Sequence, residues 1–300
     1  MTAMTLKKKK HRKQMSDIVF DSVVILILVL FSLCIVFPFM NLISISMSSE
    51  IAIQSGKVGI LPNGFSLNSY KRILETSAIL RSFGITIFVS CTSVATALIA
   101  NSIAAYPLAF GHFPGKKIYN FLLMFTMWFS GGMIPTFLVM RALGLIDSLM
   151  VLVWNTLLSA YNILILSSFF RSIPTSLVES AYLDGASDWK VLFRIILPLA
   201  KPGLATVGLW IFVGHWNDYM NPLVYIRTVE KYPLQMVLRE LVLTSVAQSE
   251  MLELTEGNKG ALPEQLKHAV IVFSMLPIMI MYPFVQKYFV KGIMLGSVKE

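Results

Sequence analysis

The residues that most often carry out chemistry in enzymes are sparse in this chain and form no recognisable site. The four histidines show no metal-ligand spacing, and both cysteines fall inside apolar runs, where cysteine is typically a packing residue. The chain has no Gly-Lys-Ser/Thr motif for phosphate binding and no Ser/His, paired-acid or metal arrangement. We therefore predict no catalytic residue, no metal site and no cofactor in this chain.

Two groups of polar residues within apolar segments have a spacing suited to binding a solute. The first, Asn155, Ser159 and Asn162, would share one face of a helix. The second lies in 216–221, where aromatic rings could stack on sugar faces beside amide and carboxylate groups that bind hydroxyls. Its candidate residues are Trp216, Asn217, Asp218, Tyr219 and Asn221. Interhelical hydrogen bonds for the first group and an aromatic belt at the outer membrane interface for the second remain open alternatives.

A third polar segment, 179–202, has the pattern of two short helices joined by a turn. Ser176 and Glu179 have the spacing of a capping box, and Gly185 can adopt the left-handed conformation that ends a helix. Ser187 can cap the second helix, which two prolines terminate. The predicted apolar face of that helix comprises Trp189, Leu192, Phe193 and Ile196. Such a face must be covered by a partner's groove, by the protein's own helix ends or by lipid.

Composition indicates that helices in a membrane position these groups. Apolar residues make up 56% of the 300 residues and charged residues only 14%, which excludes an ordinary soluble domain. Six stretches are long and apolar enough to span a bilayer, so we predict an all-α membrane protein with six transmembrane helices. The predicted spans are 22–43, 84–105, 118–139, 149–170, 203–226 and 269–290.

The basic residues predict the orientation of these spans. Six of the 25 Lys and Arg residues lie in 7–13, where a basic block is a membrane-orientation signal that can also contact lipid head groups, rather than a nucleic-acid surface. With the N-terminus inside, the cytoplasmic segments hold 15 of the 25. We therefore predict cytoplasmic N- and C-termini. The predicted organisation is a basic N-terminus (1–17) and one transmembrane domain (18–300), with a cytoplasmic loop at 171–202 and external loops at 44–83 and 227–268.

The segment 179–202 resembles the EAA loop of the membrane subunits of binding-protein-dependent ABC importers. Glu, Ala, Gly, Ile, Leu and Pro stand at the spacing of that family, and Ser180 replaces the second alanine of its Glu-Ala-Ala triplet. The resemblance implies that 171–202, the predicted coupling loop, docks into a cleft of an ATP-hydrolysing subunit. The residues assigned to this contact are Glu179, Ser180, Ala181, Asp184, Gly185, Trp189, Leu192, Phe193, Leu197 and Pro198.

Other motifs resemble the carbohydrate branch of these importers, and in particular the smaller maltose permease subunit. They are Leu61-Pro62 before Asn68-Ser69-Tyr70, Trp216-Asn217-Asp218 before Pro222-Leu223, and the segment 286–292. The resemblance implies a type I importer fold that forms half of the path for an oligosaccharide in a bacterial cell (inner) membrane. Implied partners are a second homologous permease, two ABC ATPases that bind ATP and Mg, an extracellular or periplasmic solute-binding protein and membrane lipid, with no nucleic acid.

Several alternatives remain open at the level of the sequence. In the maltose relatives the other subunit holds the sugar, so direct sugar contact by this chain is not implied. The segment 291–300 is either a further ATPase contact or a solvated end. The chain could also be an ABC permease for a non-sugar solute. An ion-gradient-driven transporter would need acids near mid-span, whereas only Asp21 and Asp218 approach the predicted spans, both near their ends.

Overall fold

The structure, a computed structural model, describes residues 15–111, 113–252 and 264–297. Within these ranges the chain is helical and contains no β-strand. The predictions for the basic block 7–13 and for the last residues, 298–300, lie outside the described residues. The chain divides into two compact units, Met1–Ser69 with Pro263–Val272, and Tyr70–Leu262 with Phe273–Glu300.

The first unit contains two helices and the beginning of a third. Its elements are α1 (Met15–Ser46), α2 (Glu50–Gln54) and the start of α15 (Glu264–Ser297). The side chain of Gln265 donates hydrogen bonds to the carbonyls of Ser46 (3.3 Å) and Ser66 (2.9 Å), and so ties α15 to the segment after α1. Most apolar side chains of α1 are exposed within the chain, which suits contact with lipid.

The second unit is built around α4 (Ser77–Phe110), α8 (Ala160–Arg171) and α12 (Lys201–Trp216). The other helices surround these three. They are α3 (Asn68–Glu75), α5 (Lys116–Trp128), α6 (Met133–Ala142), α7 (Leu149–Trp154), α9 (Thr175–Leu183), α10 (Asp188–Val191), α11 (Leu197–Leu199), α13 (Met220–Tyr225) and α14 (Leu234–Leu252). Small residues permit the close approach of helices: a Cβ on Gly203 of α12 would lie 2.5 Å from the ring of Phe169 on α8.

Three helical segments in the described part of the chain are long and apolar enough to cross a membrane unaided. They are Val19–Ser46, Ser77–Phe110 and Glu264–Pro283. Two further pairs of helices are long and apolar enough only if each pair counts as one span, and each is bent at a short break: α5 and α6 meet at 110°, and Asp188–Leu199 meets α12 at 83°. The short helices α7 and α8 together cover the remaining predicted span, 149–170.

Three predicted spans are therefore not the continuous helices that the sequence suggested. The spans concerned are 118–139, 149–170 and 203–226, and their breaks lie at 129–132, 155–159 and 217–219. At the first break Gly132 has a φ of +86°, which glycine adopts without strain. At the last, the Asp218 carboxylate accepts a hydrogen bond from the backbone amide of Asn221 (3.0 Å), in the first turn of α13. Apolar composition alone does not reveal such breaks, because polar side chains satisfy the interrupted backbone.

Candidate functional site

The first half of the predicted coupling loop is α9 and the turn that follows it. Pro174 occupies the N-cap position without a side-chain cap, so the predicted capping box of Ser176 and Glu179 does not form. The end of α9 follows the prediction: Gly185 has a φ of +73°. The Gly185 amide donates to the Tyr182 carbonyl (3.0 Å) and the Ala186 amide to the Ala181 carbonyl (2.9 Å), the pairing of a Schellman motif. The turn is thus set by local hydrogen bonds.

The second half of the loop is α10, a π-helical turn at Leu192–Ile196, and α11. Ser187 stands at the N-cap of α10, but its hydroxyl makes no capping hydrogen bond. The wider π turn changes the angle between successive side chains, so the predicted apolar face divides. Leu192 and Ile196 are buried in the chain, whereas Trp189 and Phe193 are exposed and stack with ring centroids 6.0 Å apart.

The buried side chains of the coupling loop belong to the same core as the central helices. This core includes Val178 and Ala181 from α9, Val191, Leu192 and Ile196 from the second half, and Leu108, Leu166, Phe170 and Val207 from α4, α8 and α12. Ala181 and Leu192 therefore face this core and are not available for the partner contact that the sequence assigned to them. The physical reason is that the loop must first cover its own apolar side chains.

The remaining assigned residues lie at the surface of the loop. Leu197 is partly buried, and the others are exposed: Glu179, Ser180, Asp184, Gly185, Trp189, Phe193 and Pro198. Sequence reasoning missed Leu183, whose side chain is 89% exposed beside the turn. A signal for Leu183 was available in the sequence, because this apolar residue directly precedes Asp184, the C-cap of α9. Together with Trp189 and Phe193 it gives this surface an apolar centre.

A hydroxyl network links the coupling loop to α4. The hydroxyls of Tyr106 on α4 and Tyr182 on α9 lie 2.8 Å apart, and Tyr182 donates to Asp188 Oδ1 (2.5 Å). Partial burial, followed by the hydrogen bonds to Asp188 and Tyr106, raises the pKa of the Tyr182 phenol, which favours its protonated, donating form. Sequence reasoning missed this network because the two tyrosines are 76 residues apart.

A cavity of about 940 Å³ lies among α5, the break between α7 and α8, and the helices α8, α12 and α13. It brings together five of the predicted path residues, namely Asn155, Ser159, Asn162, Asp218 and Asn221. The other three lie outside its lining. Trp216 is only 1% exposed, and its indole N–H donates to the Ser274 carbonyl (2.9 Å), which makes it a packing residue. Asn217 and Tyr219 are exposed elsewhere, because the break after α12 turns neighbouring side chains in different directions.

Hydrogen bonds connect the polar groups on the cavity wall. Asn155 Nδ2 donates to Asn221 Oδ1 (3.1 Å), and Asn221 Nδ2 donates to Asp218 Oδ2 (2.6 Å). Thr156 Oγ1 and His215 Nε2 form a second pair at 2.9 Å. The wall thus presents carboxylate, amide, hydroxyl and imidazole groups within one cavity, which is the chemistry that binds hydroxylated solutes.

Two aromatic residues on the wall were missed by sequence reasoning. The rings of Tyr161 and Trp210 lie with their centroids 5.6 Å apart and both line the cavity. The spacing of Trp210, Gly214 and His215 at one face of a helix was a signal that could have identified the wall on α12. No comparable signal was available for Tyr161. It is the second residue of α8, so no earlier turn of that helix defines a face with it.

The break between α7 and α8 forms part of the cavity wall and is held by Asn101 of α4. This side chain is buried, donates to the Leu157 carbonyl (2.9 Å) and accepts from the Ser159 amide (3.0 Å). Ser159 in turn caps α8, at 3.5 Å from the Asn162 amide. Non-helical backbone at membrane depth is tolerated where it is paired in this way or lines a cavity. The continuous helical stripe predicted for Asn155, Ser159 and Asn162 is therefore wrong, although the three residues share the cavity.

The described residues offer no group of three or more His, Cys, Asp or Glu that could hold a metal ion. Cys34 and Cys91 are free thiols and are exposed rather than packed. The described lining of the cavity consists of hydrogen-bonding side chains, aromatic rings and a few apolar side chains.

Comparisons with known proteins agree with these features. The chain is similar over 95% of its length to the polygalacturonan/rhamnogalacturonan transport system permease protein YtcP of Bacillus subtilis, with 41% identity and all of that protein covered. It is 25% identical to the diacetylchitobiose uptake system permease protein NgcG of Streptomyces coelicolor, over 94% of this chain and 90% of that protein. Among solved structures, a chain of a bacterial ABC transporter involved in import of the acidic polysaccharide alginate matches with a TM-score of 0.83 and 36% identity, covering 93% of this chain and 99% of that one.

The structural match confirms the predicted all-α permease fold of an ABC importer. The model of one family, binding-protein-dependent transport system inner membrane component, matches residues 2–295. Because that match spans nearly the whole chain, this protein is a membrane-embedded transport component and not an enzyme, and it belongs to the binding-protein-dependent transport system inner membrane component family.

Proposed function

We propose that this chain forms half of the path of an oligosaccharide through an ABC importer and couples that path to ATP hydrolysis through the loop 171–202. The observation that carries the proposal is that the same two helices build both sites. On α12, Trp210 and His215 line the cavity while Val207 packs in the core shared with the coupling loop. On α8, Asn162 lines the cavity and Phe170 packs in that core. A displacement of the loop would therefore move the cavity wall.

The chemistry of the cavity supports an oligosaccharide as the solute. Tyr161 and Trp210 offer faces on which sugar rings can stack, and Asn155, Asp218 and Asn221 offer acceptors and donors for hydroxyls. The relatives named for polygalacturonan, rhamnogalacturonan and diacetylchitobiose transport support the same class.

The proposed assembly contains a second, homologous permease, two ATPase subunits that bind ATP and Mg, and an extracellular binding protein that delivers the sugar. The proposed location of the assembly is the bacterial cell membrane, with both termini of this chain in the cytoplasm. The excess of basic residues in the segments assigned to the cytoplasm supports this orientation. ATP would close the ATPase pair, the docked coupling loop would move with it, and the helices would open the cavity outward. Hydrolysis would then reset them.

The decisive experiment measures ATPase activity and sugar uptake of the chain co-purified with its partner subunits. We expect a binding protein loaded with oligosaccharide to stimulate both. Glu179→Lys and Gly185→Asp should abolish stimulation while membrane insertion persists, because both residues are exposed on the loop. Glu179→Lys reverses a surface charge, whereas Gly185→Asp also strains the turn, where φ is +73°.

A matched control is Tyr219→Ser, which alters an exposed aromatic residue outside both the loop and the cavity lining. It should transport normally. Normal uptake by Glu179→Lys and Gly185→Asp would reject the coupling assignment. Uptake that continues without any ATPase would instead support a transporter driven by an ion gradient.

A further inference from the structure

The charges on the cavity wall are unbalanced. Among the fifteen described residues that line the cavity, Asp218 is the one carboxylate, and none is Lys or Arg. The imidazole of His215 is engaged with the Thr156 hydroxyl at 2.9 Å. The remaining polar groups are amides and hydroxyls, and two aromatic rings complete the wall. A solute that lies against this wall therefore meets a negative charge that no Lys or Arg side chain of the described lining offsets.

The hydrogen bonds of the wall leave acceptor capacity on that carboxylate. Asp218 accepts from the backbone amide of Asn221 through Oδ1 and from its Nδ2 through Oδ2. Since a carboxylate has about four acceptor sites, roughly two remain for donors from a solute. The Asn155 carboxamide donates to Asn221, whose own carboxamide donates to Asp218. This series of hydrogen bonds therefore ends at the Asp218 carboxylate.

Sugar hydroxyls and sugar carboxylates respond to this arrangement in opposite ways. A hydroxyl can donate to Asp218 and form a charge-assisted hydrogen bond. The carboxylate of a uronate is ionised at neutral pH, has no proton to donate and is repelled by Asp218 in an environment that water screens only partly. A site for uronates is expected to supply Arg or Lys, and the described lining holds neither. One N–H of Asn155 and one of Asn221 are directed to Asn221 and Asp218.

We infer that the sugar residue passing this wall carries no carboxylate, and that Asp218 is the specificity-determining residue that discriminates against uronates. The inference rests on the proposed function of the cavity as an oligosaccharide path. Two similar proteins are described as transporting acidic polymers. The inference predicts that the solute of this chain differs from theirs.

The test compares the affinity of the assembled importer, held with a non-hydrolysable ATP analogue, for two free oligosaccharides of equal length. One is built of neutral hexoses and the other of hexuronates. Direct binding removes the selectivity of the solute-binding protein from the comparison. In the wild type we expect the neutral oligosaccharide to bind more tightly. In Asp218→Asn the affinity ratio of uronate to neutral should rise about tenfold, which corresponds to about 1.4 kcal/mol.

Two further variants make the result decisive. Glu230→Gln removes an exposed carboxylate outside the cavity lining and should leave the ratio unchanged. Asn162→Lys adds a cation to the wall and should raise uronate affinity, even if Asp218→Asn assembles poorly. Equal wild-type affinities, or a ratio that neither cavity variant changes, would overturn the inference while leaving the oligosaccharide path intact. Binding of neither oligosaccharide to any of the proteins would overturn the proposed function itself.

Discussion

The Asn101 side chain and the Ser159 backbone are joined across two helices: Asn101 Oδ1 accepts a 3.0 Å hydrogen bond from the Ser159 amide. The same carboxamide donates to the Leu157 carbonyl at 2.9 Å. One buried side chain of α4 thus satisfies both a donor and an acceptor of the backbone where α7 and α8 are interrupted. The interruption is what turns the cavity wall inward at residues 155–159.

Asn101→Leu should therefore destabilise the protein and disturb the cavity. The replacement has a similar volume, but it leaves the Ser159 amide and the Leu157 carbonyl without their partner in a poorly hydrated environment. Leaving these two groups unpaired is expected to cost roughly 2–6 kcal/mol. Thermal unfolding of the detergent-solubilised protein measures the loss. Thr96→Val is a suitable control, because the Thr96 hydroxyl bonds only to carbonyls of its own helix. Equal stability of the two variants would contradict a role for Asn101 in holding the break.

Gly203→Ala should weaken the packing of α12 on α8. A Cβ at this position would lie 2.5 Å from Phe169 Cγ, so the helices must separate or the ring must move. Overpacking of this kind costs about 1–3 kcal/mol. Gly214→Ala on the same helix is the matched control, since its Cβ would meet nothing within 4 Å. We expect a lower unfolding temperature for the first variant only. A Gly203→Ala protein as stable as the wild type would show that the contact is not tight.

Tyr182→Phe should remove the hydroxyl link between the coupling loop and α4 while the shared core keeps them packed. The lost hydroxyl bonds both Tyr106 and Asp188, so the variant should show weaker stimulation of the partner ATPase by loaded binding protein. The raised pKa of Tyr182 also predicts a pH dependence. The folded form favours the protonated phenol, so the network's contribution to stability is complete below the ordinary tyrosine pKa of 10.0 and is lost as pH rises through the folded value.

The measurement for this network is thermal stability between neutral pH and pH 11 for wild type and Tyr182→Phe. The difference between the two proteins should shrink above about pH 10. Tyr119→Phe alters a tyrosine outside the network and provides the control. A difference that stays constant over the whole range would argue that the Tyr182 hydroxyl does not act through its proton.

Asp147→Asn should loosen the contact between the segment before α7 and the segment after α13. Asp147 accepts from the Thr228 hydroxyl (2.6 Å) and from the amides of Thr228 and Arg227 (3.0 Å each), and forms an ion pair with Lys231 at 3.0 Å. These hydrogen bonds, that of the Thr228 hydroxyl first, lower the pKa of Asp147 well below its ordinary value of 3.8. The carboxylate therefore contributes stability above that value, which is lost as pH falls through the folded pKa.

We expect wild type to be more stable than Asp147→Asn at neutral pH, and the difference to fall once the solution is more acidic than about pH 4. Asparagine tolerates the left-handed φ of +61° at this position, so the substitution tests the charge and not the backbone. Thermal unfolding from pH 7 to pH 3 gives the comparison, with Glu230→Gln as the control. An undiminished difference at the acid end would mean that the hydrogen bonds do not depend on the ionised carboxylate.

Local signals in the sequence were sufficient for the helical class and the turn of the coupling loop. The need to satisfy backbone groups in hydrocarbon leaves helices as the natural outcome for long apolar stretches, which is why α1 and α4 are close to their predicted spans. Gly185 ends α9 through hydrogen bonds to residues within one turn of it, so its role is encoded in neighbouring residues. The family motif in 179–202 likewise depends on residues close in sequence.

Tertiary structure decided which of these residues are available to a partner or a solute. Leu192 and Ala181 carry a pattern that fits a docking surface, but the core formed with Leu166 and Val207 buries them. Trp216 lies in a polar-aromatic cluster, yet it packs against Phe83 and bonds Ser274. Burial depends on contacts between distant segments, and these are absent from any local pattern.

The breaks in the spans show the same division between local and distant causes. The sequence by itself determined a helical membrane protein, and it predicted a coupling loop and placed the polar residues Asn155, Ser159 and Asp218 on the proposed solute path. Only the tertiary structure decided that the helix stops between Asn155 and Ser159, because the partner that satisfies the freed backbone, Asn101, comes from another helix 58 residues away from Ser159. Hydrogen bonds between residues so far apart in sequence follow no periodic spacing. They therefore determine the shape of the cavity without leaving a pattern in the sequence.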